Sequence, residues 1–178
     1  MKVILVRHGE TQNNIDKRST GRLNIGLTEN GIAQAHETGK LLRNEVINKI
    51  YSSSLHRAIQ TADIIKWVIQ YTWDIIVSEL MKERDLWDQT NQPRSVRVDI
   101  NQGTPQERQQ RMDELKIESD ESLDERTENF INNLREQPEE TILLIGHRGR
   151  FKRMLSKVLK MDIAEDSLSN GSITTIEL

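Results

Sequence analysis

The chain contains no cysteine, which excludes disulfides and thiolate metal sites but leaves the redox compartment open. Aromatic residues make up only 4% of it, so a core has to rest on Ile, Leu, Val and Ala. It lacks an excess of basic residues. A net charge of -3 argues against a general nucleic-acid binder, which normally carries a basic surplus. No apolar stretch is long enough to span a membrane. Met1-Lys2 runs straight into the first apolar segment without a signal-peptide pattern, so a soluble cytoplasmic protein with no membrane partner is expected. Internal repeats, low-complexity tracts and linkers are missing too. At 178 residues the simplest reading is one domain spanning 1–178, large enough to bury a full core.

Val3-Ile4-Leu5-Val6 is a short, largely β-branched run, as expected of a central strand covered on both faces. It stops at Arg7-His8-Gly9-Glu10-Thr11. Ligands bind beyond the carboxyl ends of strands in open α/β sheets, so this cluster stands where chemistry is usually found. Arg7 offers a planar fork suited to phosphate. His8 is a candidate nucleophile or base near neutral pH, and Gly9 would let the backbone approach a bound anion. On chemistry alone, these residues equally suit a polar strand end. A second apolar run, Thr141-Ile142-Leu143-Leu144-Ile145, also ends in a histidine loop, Gly146-His147-Arg148-Gly149. Two strand-end histidines favour a composite site.

Between these strands, residues 12–27 read as a long polar loop, a length that is usually functional inside a compact domain. Thr28 looks like the N-cap of a helix over about 29–45. Residues 49–52 read as a strand. Ser53-Ser54 read as caps for a helix reaching Tyr71, since no nucleophile-elbow glycines support a serine nucleophile. Arg57, in the first turn of that helix, opposes the helix dipole and so is a better phosphate-ligand candidate than an average surface arginine. A third strand is expected over 74–77, irregular structure over 87–103, and a helix from the Thr104-Pro105-Gln106-Glu107 capping box to about Leu115. Ser122 is the expected cap of a helix ending before Pro138. Residues 112–140 hold eleven acidic and three basic side chains and read as a solvated face. From about Arg150 a further helix follows, and residues 148–160 carry six basic and no acidic side chains. That field either attracts anions or merely balances the acidic helix before it. Residues 172–178 close the chain as a strand.

Taken in this order, the pieces resemble the histidine phosphatase superfamily, which includes phosphoglycerate mutases. The resemblance rests on Arg7-His8-Gly9-Glu10-Thr11, Asn14, Thr20-Gly21, Leu27-Thr28-Glu29-Asn30-Gly31, Ser53-Ser54-Leu55-His56-Arg57-Ala58 with Thr61-Ala62, Gly146-His147, and Asn170 with Ser172. It implies a three-layer α/β/α sandwich with a mainly parallel sheet and a small cap at about 80–120. It also implies that His8 becomes a phosphohistidine, with Arg7, Arg57 and a protonated His147 around the phosphoryl group and Glu83 as general acid. Asn14, Thr20 and Gly21 would touch phosphate or substrate. No metal and no cofactor is implied, and the partner is a small phosphorylated substrate.

The chain departs from the family pattern at three points. Arg148 stands where relatives usually have Gly after the second histidine, and either crowds the backbone or adds a phosphate contact. Leu86-Trp87-Asp88-Gln89 lacks the glycines that usually follow the acid. The substrate-covering segments of typical mutases are also missing, which favours hydrolysis. Arg84, Arg94, Arg97, Arg108 and Arg111 fall in the cap and are candidates for selecting an anionic substrate. A phosphomonoesterase is therefore expected, with a mutase or a non-catalytic phospho-ligand module as the alternatives.

Overall fold

The computed structural model describes residues 1–96, 98–100, 102–161 and 168–178. Five strands form one sheet in the order β3-β2-β4-β1-β5: β1 (Lys2–Arg7), β2 (Lys49–Ser53), β3 (Ile76–Ser78), β4 (Thr141–Gly146) and β5 (Ile173–Glu177). All neighbours are parallel except β5, which runs antiparallel to β1. The apolar runs of β1 and β4 lie side by side at its centre, because only a strand covered on both faces can bury consecutive aliphatic residues.

Alternation along these strands sorts the core into two layers. Ile4, Val6, Leu143 and Ile145 pack against Ala58, Ala62 and Ile65 of α3 (His56–Val68) and Leu42 at the end of α2 (Glu29–Leu41). Val3, Leu5, Ile142 and Leu144 pack on the other side against Phe130, Ile131 and Leu134 of α5 (Asp120–Arg135) and Phe151 of α6 (Arg148–Arg153). The expected three-layer architecture is therefore present. Between β3 and α5 run two single 3-10 turns, Glu79–Met81 and Trp87–Gln89, and α4 (Pro105–Glu114). This segment has its own small apolar cluster of Ile100, Met112 and Ile117.

Local chemistry explains most boundaries. Thr28 caps α2 by accepting from the Gly31 N–H at 3.0 Å, and Thr104 and Glu107 form the expected capping box. Several boundaries differ from expectation. The long polar loop contains a one-turn helix, α1 (Gln12–Ile15), closed by a Thr11–Asn14 capping box. The third strand is Ile76–Ser78, later than 74–77; it is an edge strand with Val77 exposed, so burial does little to pin its register. Ser119, not Ser122, caps α5, because Ser122 occupies the position that donates its N–H to the Ser119 hydroxyl at 3.1 Å. Leu55 is the N-cap of α3 and makes no side-chain cap bond, so Ser53 and Ser54 are not its caps. That helix ends at Val68, short of Tyr71, and α6 begins at Arg148 and continues through a π-helical turn, Met154–Val158.

Candidate active site

Strand register brings the candidate residues to one edge. Arg7 pairs with Gly146 across β1 and β4, and Ser52 pairs with Ile145 across β2 and β4. The residues just beyond these pairs are His8, His147 and Ser53. The rings of His8 and His147 stand 5.2 Å apart at their centroids, inclined by 59°. His8 Nδ1 lies 2.7 Å from the Gly9 carbonyl oxygen, which can only accept. Nδ1 therefore carries the proton and Nε2 keeps a lone pair. The Arg57 Nε–H donates to that Nε2 at 3.2 Å, consistent with the same tautomer.

Arg57 is 1% exposed and fully engaged. Besides His8, it donates from Nη1 to the Leu23 carbonyl and from Nη2 to the Gly21 carbonyl, both at 2.8 Å. These acceptors are neutral, and the opposing charge near it is that of Glu83. Arg7 is also buried and donates from Nη1 to the Leu168 carbonyl at 2.8 Å, while its Nε has no hydrogen-bond partner. Burial pulls both guanidinium groups down to about 10, which still leaves them charged at neutral pH.

Both histidines are neutral for the same reasons. Burial, then Arg57 and Arg7, push His8 well below the usual histidine range. Burial, Arg57 and His8 do the same to His147. His147 Nε2 lies 2.8 Å from the Ser53 hydroxyl, and its Nδ1 is buried without a partner. Two buried polar atoms of this cluster, Arg7 Nε and His147 Nδ1, thus have no protein hydrogen-bond partner.

A cavity of about 520 Å³ opens over this cluster. Arg7, His8, Asn14 and Arg57 line its floor, while Thr20, Gly21, Glu83 and Arg148 also contribute to its wall. His147 is wholly buried behind that wall. Among the described residues lining the cavity, nine are Arg or Lys and Glu83 is the one carboxylate. Its oxygens accept from the backbone N–H of Arg84 at 2.9 Å and of Gly149 at 3.0 Å. A Cβ on Gly149 would lie 2.7 Å from Glu83 Oε1, so the close backbone approach falls one residue after Arg148. Arg148 is exposed at the start of α6 and lines the cavity without crowding the chain.

Other expected roles shift. A Cβ on Gly9 would lie 2.3 Å from the Gly31 carbonyl oxygen, so its missing side chain also lets α2 close on the loop. Asn14 spends its Oδ1 on the Thr11 N–H at 3.0 Å and on Asn170 Nδ2 at 3.3 Å. Gly21 contributes a carbonyl to Arg57. Arg111 turns to the Gln102 carbonyl and does not line the cavity, whereas Arg84, Arg94 and Arg108 do. Arg97 lies outside the described residues. The acidic stretch is not merely solvated: Asp120 pairs with Arg84, Arg108 and Arg153, and Glu118 with Arg22 and Arg126. Ser53 is the residue sequence reasoning missed. Its signal is positional, since it follows the residue whose strand partner lies two before His147. Thr61 belongs beside it, accepting from the Gly9 N–H at 3.1 Å and so tying α3 to the His8 loop.

Two histidines backed by buried arginines thus stand at the carboxyl edge of a mainly parallel sheet. The sequence profile of the histidine phosphatase superfamily (branch 1) matches residues 3–178, and the chain belongs to that family. The uncharacterized phosphatase PhoE of Bacillus subtilis (strain 168) is 28% identical over 98% of this chain and 87% of its own length. A 2,3-bisphosphoglycerate-dependent phosphoglycerate mutase of Nitrosococcus oceani is 40% identical, over 40% of this chain and 30% of that protein. Among solved structures, a phosphoserine phosphatase from Entamoeba histolytica in complex with 3-phosphoglyceric acid superposes with a TM-score of 0.75 at 28% identity, covering 98% of this chain and 89% of that one. Among the described residues, no helix is long and apolar enough to cross a membrane.

Proposed function

We propose that the protein is a metal-independent phosphomonoesterase that acts on small phosphate esters through a phosphohistidine on His8. The observation that carries the reading is the His8 tautomer. With Nδ1–H fixed on the Gly9 carbonyl, Nε2 presents a lone pair inside a cluster of buried cations. Nε2 attacks phosphorus as the bond to the ester oxygen breaks, and Glu83 on the cavity wall delivers a proton to the leaving alcohol. Water then attacks the phosphohistidine, Glu83 takes its proton, and the N–P bond breaks to release phosphate. Arg7 and Arg57 stabilise the charge on the equatorial oxygens, which is most of what phosphoryl transfer asks of a protein. As the anion enters, the Arg57 Nε–H turns from His8 to a phosphoryl oxygen. The dianion favours a proton on His147 Nδ1, the nitrogen without a partner. The segment between β3 and α5, with Glu83 and Arg84 at its start, serves as the cover.

Acid-labile phosphate on His8 in enzyme quenched during turnover is the expected result, together with loss of turnover in His8→Ala. Retained activity in that variant would overturn the reading. The mutase alternative is kept by the similarity to a phosphoglycerate mutase, and it predicts isomerisation of phosphoglycerate faster than phosphate release. A non-catalytic module would bind phosphoesters without turnover. The placement of both Glu83 and Arg148 on the cavity wall supports an enzyme instead.

A further inference from the structure

The cavity extends well beyond the cluster around His8, and one of its walls is formed by α6 and the π turn after it. Resting on the phosphomonoesterase reading, we propose that the preferred substrate is an extended polyanion. Its leaving group carries a second phosphate several bonds from the scissile one, held along this wall by Arg148, Lys152, Ser156 and Lys157.

Charge is the first observation. Arg7 and Arg57 serve the transferred group, which leaves seven of the nine cations among the described lining residues with no role in the chemistry. Arg84, Arg108 and Arg153 crowd around one carboxylate, Asp120, with Arg84 at 2.5 Å and Arg153 at 3.2 Å. Asp124 adds a second carboxylate on Arg153. That cluster stays net positive, and a buried Arg84 nitrogen, Nη1, has no partner. Arg148 and Lys157 have no ion-pair partner among the described residues. A concave wall of one sign focuses its field on whatever enters.

Spacing is the second observation. Arg148 and Lys152 lie one turn apart on α6, Ser156 and Lys157 follow on the wider π turn, and all four line the cavity. Arg148 to Lys157 thus spans on the order of 10 Å. A carboxylate next to the ester, as in a three-carbon phospho acid, would reach only the beginning of that ladder. A group at the end of a longer leaving group would meet all of it. The chain's departure at Arg148 thus starts a specificity wall that begins one residue after His147.

Initial rates on butyl phosphate, 3-phosphoglycerate and the bisphosphates of 1,4-butanediol and 1,8-octanediol test this, with the full chain and with Lys157→Gln and Lys157→Glu. Lys157 is exposed, so both variants keep the fold. A bisphosphate should be hydrolysed with kcat/KM at least about tenfold above butyl phosphate and 3-phosphoglycerate, the size of one charge-assisted hydrogen bond. Lys157→Glu should reduce that preference about tenfold, mainly through KM, with Lys157→Gln in between. Equal rates on all four esters, preference for 3-phosphoglycerate, or an unchanged ratio in Lys157→Glu would overturn the inference and leave the phosphatase reading intact. If no ester releases phosphate, the phosphatase reading fails. Calorimetric binding of octanediol bisphosphate then decides the subsite: weaker binding to Lys157→Glu than to the wild type upholds it, and equal binding removes it.

Discussion

Replacing Arg57 by Lys separates charge from geometry in the cluster around His8. The substitution keeps a cation but removes the fork that reaches the Leu23 carbonyl, the Gly21 carbonyl and His8 Nε2 together. A lysine ammonium on its narrower stem can satisfy one of these acceptors. Gly21 and His8 are buried, whereas Leu23 is exposed and its carbonyl can turn to water. A buried acceptor left unpaired costs about 1–3 kcal/mol, so losing one or two costs about 1–6 kcal/mol. That is a large part of a total stability of about 5–15 kcal/mol. At about 2–4 °C per kcal/mol for a chain of this size, the midpoint of thermal unfolding should fall by roughly 2–24 °C. Hydrogen exchange should speed up first in the 20–23 loop, which Arg57 ties to α3. Loss of one aligned donor at the reacting group should lower kcat by about 10²–10³-fold. Calorimetry, exchange and turnover measured on the same preparation check all three. A variant that unfolds within about 1 °C of the wild type and turns over at a similar rate would show that Arg57 acts only as a point charge.

Acid should destabilise the fold through its two neutral histidines. Both sit well below the ordinary value of 6.5, so the unfolded chain binds more protons as pH falls through that value and stability falls with it. The slope should approach about 2.7 kcal/mol per pH unit for two protons. Urea titrations between neutral and mildly acidic pH should show it, and His8→Gln with His147→Gln should flatten it; an equally steep loss in the double variant would assign it to carboxylates. Ser53→Ala leaves both His147 nitrogens without a partner and should cost about 1–3 kcal/mol. Nitrogen NMR of the imidazoles should then show a mixed His147 tautomer, and an unchanged single tautomer would remove Ser53 from the positioning of that ring.

The two central strands were legible because burial on both faces leaves an unmistakable pattern, and Thr28 and Thr104 because capping is local chemistry. What could not be read depended on a partner far along the chain. Gly9 shows no second reason for its missing side chain until Gly31 is seen pressed against it. Ser53 looks like a cap until the β2–β4 register places it against His147. Ser119 and Ser122 are the same residue type three apart, and only the backbone path shows which hydroxyl accepts and which N–H donates. The edge strand β3, with Val77 exposed, had no burial to mark its register.

The acidic run on and before α5 shows what kind of information was missing. Read along the chain, its eleven carboxylates form a solvated face. In the fold, Glu118 is turned inward. Burial pushes its carboxyl up, but the hydrogen bond and charge of Arg126, the Asp85 N–H and the charge of Arg22 together outweigh that and hold it below the usual range. Arg126, fixed on Glu118 at 2.5 and 2.9 Å, in turn donates to the carbonyls of Leu80, Lys82 and Glu83. Arg22 joins Glu118 at 3.2 Å and also donates to the Glu83 carbonyl. The backbone that presents Glu83 to the cavity is thus clamped by two arginines sharing one buried acid. On the neighbouring wall, Asp120 and Asp124 fix the direction of Arg153, and Asp120 also holds Arg84 and Arg108. A cation already held by a carboxylate loses less side-chain freedom when a ligand arrives than a mobile one does. Asp120 and Asp124 therefore work at the cavity indirectly, by fixing in place the arginines that line it.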